Sequence, residues 1–513
     1  MHSKLFSSTL VGLEGYPVEI EADVSQGLPS FTIVGLPDTS VQESRERIRA
    51  AINNSKLPFP RTRVTINLAP ADLKKEGSYF DVPIALALLF ETLKECSTFK
   101  ISSSDLIVGE LALNGNIREI RGALSVALLA KEKGFKRLII PYKNVEEASL
   151  IPNISVIGVK TLRDAVDFLS GKESSGVKRG IYKDSLSRVI HSKIFDNDFS
   201  HIYGQEHVKR AFEIAAAGGH NIAMVGSPGA GKTMLAKAFT SVLPDLTRTE
   251  VIELTRLYSA AGVLKENTLV YERPFRAPHH SASVPALVGG GTTAKPGEIS
   301  LAHRGVLFLD EAAEFQKNVL ESLRQPLEDG SITVSRIYDS IKYPSRFMLV
   351  LATNPCPCGY YQDEHHECTC TIGQVQKYHK KLSGPLLDRI DMHLQVPAVD
   401  VTELSKRSER ETSDIIKKRV ESARRRQKEN LKDYNINMNA ELPTSVLHDH
   451  SQITSEAKNF LKKAARTLNL SARSYYRVLK LSLTISDLGG SDTVTEEHVA
   501  EALTYRPQNF LDL

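Results

Sequence analysis

The chain has 513 residues, of which 41% are hydrophobic and 25% charged, and its formal net charge is +4. The composition is that of a globular protein, and the length exceeds what one hydrophobic core supports, so about two to four domains are expected. The small net charge excludes an argument for nucleic-acid binding from bulk charge alone. The longest apolar run, residues 82–90, is too short to cross a bilayer, and no signal-like segment opens the chain. A cytoplasmic protein without a membrane partner is predicted.

The N-terminal region, residues 1–170, alternates short apolar runs with longer amphipathic runs. This mixture predicts an α+β domain. The predicted strands lie at 18–24, 30–34, 63–68, 106–111 and 137–140, and the predicted helices lie at 41–53, 82–93 and 123–133.

The rest of the chain has a different organisation. Residues 171–197 are rich in Gly, Ser and Lys and predict a linker. Strands and helices then alternate over residues 198–400, which predicts an α/β core with a parallel sheet. Residues 401–513 have a helical pattern and predict a C-terminal helical domain.

The first motif of the core is a glycine-rich run between an apolar strand and a helix, with the sequence GSPGAGKT. It fits G-x-x-x-x-G-K-[ST], the P-loop, whose backbone N–H groups cradle nucleotide phosphates. The lysine adds charge at the β- and γ-phosphates, and the threonine hydroxyl can ligate Mg²⁺. ATP and Mg²⁺ are therefore the predicted cofactors. The predicted phosphate-binding residues are Gly226, Ser227, Pro228, Gly229, Ala230, Gly231, Lys232 and Thr233.

An apolar strand that ends in two carboxylates forms the second motif. Residues 306–309 lead directly into Asp310 and Glu311. Asp310 is placed to complete the Mg²⁺ shell beside Thr233, and Glu311 to polarise a water against the γ-phosphate. The doubled acid predicts hydrolysis rather than passive nucleotide binding.

A third apolar strand, residues 347–351, leads to Asn354, whose amide is placed to orient the attacking water. This strand, Asn354 and the later segment LLDRID at 386–391 resemble the AAA+ ATPases. The resemblance implies that Asn354 is sensor 1. It also implies that Arg389 is the finger that reaches the γ-phosphate of a neighbouring subunit, which requires a ring. An ion pair of Arg389 with Asp388 or Asp391 is the structural alternative.

The same resemblance implies two further nucleotide contacts. Tyr203 and Gly204 lie in the segment that packs around adenine in that family. Arg473, in the helical lid, is the candidate for the sensor 2 arginine that contacts the γ-phosphate. Arg466 and Arg477 lie nearby and compete for that role.

Two insertions indicate which branch of the AAA+ ATPases the chain resembles. One is long and polar, with Arg276, His279, His280 and Lys295, and the other reads as a β-hairpin whose first arm ends at Arg336. They correspond to the helix-2 insertion and the pre-sensor-1 hairpin of the AAA+ branch that contains magnesium chelatase and the MCM helicases. In such ring motors these hairpins grip the substrate in the pore, so the candidate pore contacts are His279, His280, Lys295 and Arg336. Hydrogen bonds within the loop would explain the two histidines equally well.

Four of the five cysteines follow Asn354 with the spacing C-x-C-x₉-C-x-C. Cys356, Cys358, Cys368 and Cys370 suit tetrahedral Zn²⁺ better than disulfides in this compartment. His365 or His366 could replace one ligand, and four free thiols are the alternative. A site closed by four thiolates predicts a structural ion rather than a catalytic one.

Part of the N-terminal region resembles an enzyme whose chemistry is missing. The segments KEGSYFD at 75–81 and GNIREIRG at 115–122 resemble the proteolytic domain of Lon peptidases, which has the ribosomal protein S5 domain 2-like fold. When these segments are matched to Lon peptidases, the position of the serine nucleophile falls on Tyr79 and that of the lysine base on Leu124. Neither side chain can supply that chemistry. A binding or assembly domain without peptidase activity is expected.

Together with the segments NPCPCGY at 354–360 and SGPLLDRID at 383–391, these features resemble the bacterial YifB/ComM family, often labelled magnesium-chelatase-like. The resemblance covers nearly the whole chain. It implies a homohexameric helicase that drives branch migration as transforming single-stranded DNA is integrated by homologous recombination. The implied partners are DNA, further copies of the chain and recombination proteins. A chelatase-type motor subunit and a protein-remodelling ring are the alternatives.

A basic stretch at 417–428 is compatible with contacts to DNA phosphates. It is interleaved with glutamates, so a solvated helix face explains it equally well.

Overall fold

The structure is a computed structural model that describes residues 3–73, 75, 77, 79–93, 101–182, 197–264, 269–291, 294–335, 340–363, 366–398, 411–434, 436–447 and 452–506. The chain divides into two compact units. The first comprises Met1–Val189 and Thr247–Val270, and the second Ile190–Leu246 and Tyr271–Leu513. Among the described residues, no helix has the length and hydropathy that a bilayer crossing requires.

The first unit combines a large sheet with short helices. Its strands are β1 (Ser3–Val11), β2 (Glu14–Ser25), β3 (Ser30–Val34), β4 (Arg63–Ala69), β5 (Asp105–Ile107), β6 (Glu110–Leu111), β7 (Ile117–Arg118), β8 (Arg137–Pro141), β9 (Ser155–Val159) and β10 (Val177–Arg179). Its helices are α1 (Thr39–Asn54), α2 (Asp81–Thr92), α3 (Ala123–Glu132), α4 (Val145–Ala148), α5 (Leu162–Leu169) and, from the later segment, α8 (Arg248–Ala261), with a 3₁₀ turn at Tyr142–Asn144.

The sheet of the first unit is mixed, in the order β10-β9-β8-β5-β1-β2-β4-β3. Neighbouring side chains of its inner strands enter different hydrophobic clusters. Leu138 and Ile140 of β8 join one cluster, and Ile139 joins the other. Successive side chains of a strand point to opposite faces, so both faces of the sheet are covered. Helix α2 is buried over its first nine residues, Asp81 to Leu89, because apolar side chains surround it on every side.

Helix α8 belongs to the first unit although its sequence follows the P-loop. Its Ser259 hydroxyl donates to the carboxylate of Glu147 at 2.9 Å and accepts from the backbone N–H of Gly122 at 2.7 Å. Its Arg256 guanidinium donates to the carbonyl of Leu13 at 2.7 Å. Residues 247–270, which the sequence pattern assigns to the 198–400 core, are therefore part of the N-terminal unit.

The second unit contains the remaining elements. Its strands are β11 (Ile222–Val225), β12 (Phe275–Arg276), β13 (Gly289–Gly290), β14 (Lys295–Pro296), β15 (Val306–Leu309), β16 (Ser331–Ser335), β17 (Ser340–Pro344), β18 (Met348–Thr353) and β19 (Met392–Gln395). Its helices are α6 (Glu206–Gly218), α7 (Lys232–Ala238), α9 (Val284–Val288), α10 (Glu298–Leu301), α11 (Lys317–Glu321), α12 (Arg324–Asp329), α13 (Ile372–His379), α14 (Gly384–Leu387), α15 (Ser413–Asn430), α16 (Thr444–Leu447), α17 (Ser455–Thr467), α18 (Ala472–Leu488) and α19 (Glu496–Thr504). Short 3₁₀ segments lie at Phe199–His201, Phe239–Val242, Ala312–Glu314, Lys432–Tyr434 and Asn439–Glu441.

A parallel sheet in the order β12-β15-β18-β11-β19 forms the centre of this unit. Its inner strands are apolar and fully buried, as expected where helices cover both faces. The C-terminal helices α15, α18 and α19 pack into the same hydrophobic cluster as α6. The order places β18 between the P-loop strand β11 and the acidic strand β15, so their carboxyl ends lie side by side.

The predicted fold class is confirmed: a mixed α/β chain with a parallel P-loop core and a helical C-terminal part. The predicted hairpin before Asn354 is also present, as β16 paired with β17. The pattern did not reveal β1, whose Ser and Thr side chains at positions 7–9 are buried instead of exposed. The predicted strand 106–111 is two strands, β5 and β6.

Candidate active site

The P-loop connects the end of β11 to the start of α7. Gly229 and Gly231 have φ angles of +81° and +86°, a left-handed conformation that side chains with a Cβ rarely adopt. The Lys232 ammonium donates to the loop carbonyls of Gly226 at 2.6 Å and Ser227 at 3.0 Å. Burial lowers the pKa of Lys232, and the nearby carboxylates of the acidic strand oppose that shift. The lysine is thus held against the loop that would surround the phosphates.

The predicted magnesium ligands lie together. The Thr233 hydroxyl donates to Oδ2 of Asp310 at 2.7 Å, and Oδ1 of Asp310 accepts from the backbone N–H of Glu311 at 3.0 Å. A hydroxyl and a carboxylate are hard oxygen ligands of the kind that Mg²⁺ prefers, and Mg²⁺ keeps waters and substrate phosphates as its other ligands. The donor set therefore fits Mg²⁺ bound with a nucleotide.

Asn354 directly follows β18, and its Oδ1 atom accepts from Lys232 Nζ at 3.1 Å. The structure therefore brings Asn354 to the P-loop lysine. This follows from the sheet order, which places its strand between the P-loop strand and the acidic strand.

Glu311 has an unusual backbone and an unexpected neighbour. Its φ angle is +50°, in the left-handed region that non-glycine residues seldom occupy except under constraint. Its Oε2 atom lies 3.5 Å from Nδ1 of His280. The ring of His279 lies 4.1 Å from that of His280, between centroids, and its Nδ1 atom is 2.8 Å from the Ser281 hydroxyl. His280, predicted as a pore contact, thus lies beside the predicted catalytic carboxylate.

The two arginines predicted to act on the γ-phosphate lie together but away from the P-loop of their own chain. The Arg389 guanidinium donates to Glu328 and to the carbonyl of Pro385. Arg473 Nη2 lies 3.5 Å from the same Glu328 carboxylate. Arg389 is therefore not paired with Asp388 or Asp391, which was the structural alternative. Arg477, which competes with Arg473 for the sensor 2 role, is more buried than Arg473 and donates to the carbonyl of Ile390 at 2.7 Å.

The backbone shows at which edge of the sheet these arginines lie. The carbonyl of Arg389 accepts from Asn221 Nδ2 at 3.3 Å. Asn221 precedes β11, whereas the P-loop follows it. A four-residue strand spans about 13 Å at ~3.3 Å per residue, so Arg389 and the P-loop lie at opposite edges of the sheet.

The segment predicted to surround adenine lies beside the P-loop. Tyr203 and Gly204 are half-buried, and they precede Gln205, whose φ angle is +56°. Gln205 Nε2 donates to the carbonyls of Ala230 at 3.0 Å and Pro397 at 2.8 Å. Gln205 is the last residue of the resembling segment at 202–205, and these hydrogen bonds join that segment to the P-loop.

The four cysteines form one cluster. Their ligand atoms all lie within 4.8 Å of one another. Cys356 Sγ is 3.2 Å from Cys358 Sγ and 3.7 Å from Cys368 Sγ, and the latter two atoms are 3.5 Å apart. Four sulfurs around Zn²⁺ at about 2.3 Å are separated by about 3.8 Å, whereas a disulfide would bring two of them to about 2.05 Å. The cluster therefore fits a four-thiolate metal ion.

The structure describes some of the other basic residues of the two insertions and of the basic stretch. Arg276 forms a bidentate pair with Glu298, both distances 2.6 Å, and Lys295 is exposed on β14. Arg336 lies outside the described residues. In the basic stretch 417–428, side chains pair within the unit, as Arg419 does with Glu213. Such pairing favours a structural role for much of this stretch.

The Lon-like positions in the first unit carry no activated groups. The Tyr79 hydroxyl donates to the carbonyl of Arg121 at 3.0 Å, and burial raises the pKa of Tyr79 to about 12, so the phenol stays neutral. Leu124 is fully buried. Tyr79 lines a cavity of about 1080 Å³. This geometry agrees with a domain that has no serine–lysine pair at these positions.

A parallel sheet of this order, with the P-loop, acid pair and Asn354 at its carboxyl edge, defines a P-loop ATPase of the AAA+ class. Comparisons with known proteins agree. The family described as Magnesium chelatase, subunit ChlI, matches residues 198–404, and those described as Subunit ChlI of Mg-chelatase and Magnesium chelatase, subunit ChlI C-terminal, match residues 20–144 and 410–506.

Relatives along the whole length narrow the assignment. The chain is 42% identical over 511 residues to the Competence protein ComM of Haemophilus influenzae, and this match covers 98% of this chain and 97% of that protein. It is 42% identical over 497 residues to the Uncharacterized protein YifB of Escherichia coli, covering 97% and 95%. The Magnesium-chelatase 38 kDa subunit of Rhodobacter capsulatus is 26% identical over 174 residues, covering 31% of this chain and 50% of that subunit. The chain belongs to the YifB/ComM family of magnesium-chelatase-like AAA+ ATPases.

Proposed function

We propose that the chain is the subunit of an ATP-hydrolysing ring motor that acts on single-stranded or branched DNA. The position of Arg389 and Arg473 is the observation that supports a ring-shaped oligomer. Both lie at the edge of the sheet opposite the P-loop and share Glu328. Arginines that serve catalysis from such a position must reach the nucleotide of an adjacent subunit.

The chain's own residues then have distinct roles in hydrolysis. Lys232 and the loop backbone bind the β- and γ-phosphates, and Thr233 and Asp310 would hold Mg²⁺, which when bound would neutralise phosphate charge. Glu311 polarises the attacking water, and Asn354 orients it. Arg389 and Arg473 of the adjacent subunit stabilise the charge that develops on the γ-phosphate. Tyr203 and Gly204 pack around the adenine.

The DNA substrate is supported by similarity to the competence protein along the whole chain. We infer from this a helicase that drives branch migration during integration of transforming single-stranded DNA by homologous recombination. The chelatase subunit aligns with less than a third of the chain, which makes metal insertion the weaker candidate.

We also propose that the four cysteines hold one structural Zn²⁺, because their Sγ separations match a tetrahedral thiolate site. Elemental analysis of the purified protein should give about one zinc per chain. A chain with four free thiols and no zinc contradicts the assignment.

The decisive assay for the motor is ATP hydrolysis with no DNA, single-stranded DNA, duplex DNA and a four-way junction. We expect single-stranded or branched DNA to raise kcat several-fold and the junction to be migrated only with hydrolysable ATP. The Glu311→Gln variant is the control, because it should bind ATP and the junction without migrating it. Equal rates with every DNA, together with no DNA binding at low salt, would overturn the DNA assignment.

A further inference from the structure

The loop that carries the four cysteines packs directly on the P-loop. The hydroxyl of Ser227 donates to the carboxylate of Asp363, which lies between the two cysteine pairs. Gly359 lies against Pro228 so closely that an added Cβ would sit 2.5 Å from Pro228 Cγ. Two adjacent residues of the phosphate cradle therefore rest on this loop.

Asp363 is well fixed on its own side of the contact. Its side chain is only 6% exposed. Its Oδ1 atom accepts from the backbone N–H of His366 at 3.0 Å, and the ring of His366 stacks on Tyr360 at 4.6 Å between centroids. Oδ2 of Asp363 is thereby directed at Ser227.

The described part of the loop is held by turns and by the side-chain contacts given above. Its described residues between β18 and α13 form turns but no helix or strand, with backbone hydrogen bonds such as Gly359 N–H to Cys356 C=O at 3.0 Å. A metal ion bound by the cysteines would close the loop at both ends, because Cys356 and Cys358 lie before Gly359 and Cys368 and Cys370 lie after Asp363. A loop closed in this way has fewer conformations available, so less conformational entropy is lost when the loop becomes ordered.

We propose that the metal-bound cysteine loop positions the P-loop for ATP, with Asp363 and Gly359 as positioning residues, so that loss of the metal weakens nucleotide binding. The inference rests on the proposed ATP and zinc sites. The coupling runs from Asp363 to Ser227 and on to Lys232, which donates to the carbonyl of Ser227 at 3.0 Å. Without the metal the cradle has to be ordered when ATP binds, and the apparent affinity falls by the fraction of competent loops.

The test measures the Kd of a fluorescent ATP analogue and the zinc content of the full chain. The protein is compared as purified, after removal of zinc by a chelator, and after zinc is restored. We expect the Kd to rise at least about 10-fold on metal removal and to return with zinc. Far-UV circular dichroism checks that the rest of the chain stays folded.

A variant that keeps every cysteine separates positioning from unfolding. Asp363→Asn should retain about one zinc, raise both the Kd and the KM for ATP about 3- to 10-fold, and change kcat little at saturating ATP. Glu367→Gln is the matched control, because it makes the same change at an exposed carboxylate of the same loop and should leave the Kd unchanged.

The possible results separate a failure of the proposed function from a failure of the inference about the cysteine loop. A wild-type chain that binds no nucleotide overturns the proposed function and this inference with it. If the chain binds ATP but carries no zinc, the proposed zinc site and this inference fail, while the proposed ATPase motor stands. If a zinc-loaded chain binds ATP equally well after its zinc is removed, this inference alone fails. An unchanged Kd in Asp363→Asn also overturns it.

Discussion

Nδ1 of His280 and Oε2 of Glu311 lie 3.5 Å apart. The two side chains come from neighbouring strands of the sheet, since His280 follows β12 and Glu311 follows β15. The insertion that carries His280 therefore reaches the carboxylate that we propose polarises the attacking water.

Replacing this histidine tests whether it orients Glu311. In His280→Ala we expect kcat for ATP to fall about 5- to 10-fold while KM stays nearly constant, because orientation of the water is lost and phosphate binding is not. Steady-state ATPase assays measure both constants. His279→Ala is the control, since His279 contacts the Ser281 hydroxyl. An unchanged kcat in His280→Ala would show that the contact has no catalytic role.

The P-loop lysine and the proposed catalytic glutamate should separate binding from chemistry. Lys232→Ala should weaken ATP binding, because the charge at the β- and γ-phosphates is lost. Glu311→Gln should bind ATP with native affinity and lower kcat at least about 100-fold, because the amide cannot accept a proton from the water. Equilibrium binding and single-turnover hydrolysis measure the two effects. Native hydrolysis by Glu311→Gln would exclude Glu311 from that role.

The stability of the second unit should depend on pH through His393 of β19. Burial, together with the nearby Arg506 and Arg477, lowers the pKa of His393 to about 3 from an ordinary value of 6.5. Between pH 3 and pH 6.5, His393 binds a proton in the unfolded chain but not in the folded chain. Acidification from pH 6.5 towards 3 therefore costs stability, by up to ~1.4 kcal/mol per pH unit.

Thermal unfolding from pH 7 to pH 4 tests this dependence. His393→Asn should flatten the fall of the second unit's unfolding midpoint, because the asparagine takes up no proton in the unfolded state. Parallel curves for the variant and the wild type would rule out a contribution from His393.

The nucleotide site could be proposed from the sequence because its parts are local and share one edge of a sheet. The P-loop, Asp310, Glu311 and Asn354 each follow an apolar strand directly, and parallel strands bring such ends together. The cysteine cluster was predictable for a similar reason, since its ligands lie within fifteen positions of one another, Cys356 to Cys370.

The features that the sequence did not reveal depend on contacts between distant segments. Helix α8 has an ordinary amphipathic pattern, and its place in the N-terminal unit follows from long-range contacts such as those with Glu147 and Leu13. His280 reaches Glu311, and Asp363 reaches Ser227, across 31 and 136 positions of sequence. No periodicity or spacing encodes such pairs.

We propose that each ATP site is shared between two subunits. Arg389→Ala should bind ATP and hydrolyse it slowly, because the transition-state charge loses its partner. Arg473→Ala should likewise bind ATP and hydrolyse it slowly. These single variants leave open whether the arginine acts within one chain, so the subunits have to be mixed.

The most direct measurement is the ATPase activity of mixed oligomers of Lys232→Ala and Arg389→Ala subunits after exchange. A shared site predicts that each variant alone is nearly inactive and that an equal mixture recovers about one quarter of the wild-type activity, because an intact P-loop meets an intact arginine at that fraction of interfaces. A mixture of Lys232→Ala with Glu311→Gln should recover nothing, because both defects lie in the same half of the site. Activity in the Lys232→Ala and Arg389→Ala mixture no greater than the sum of the separate variants would contradict the account.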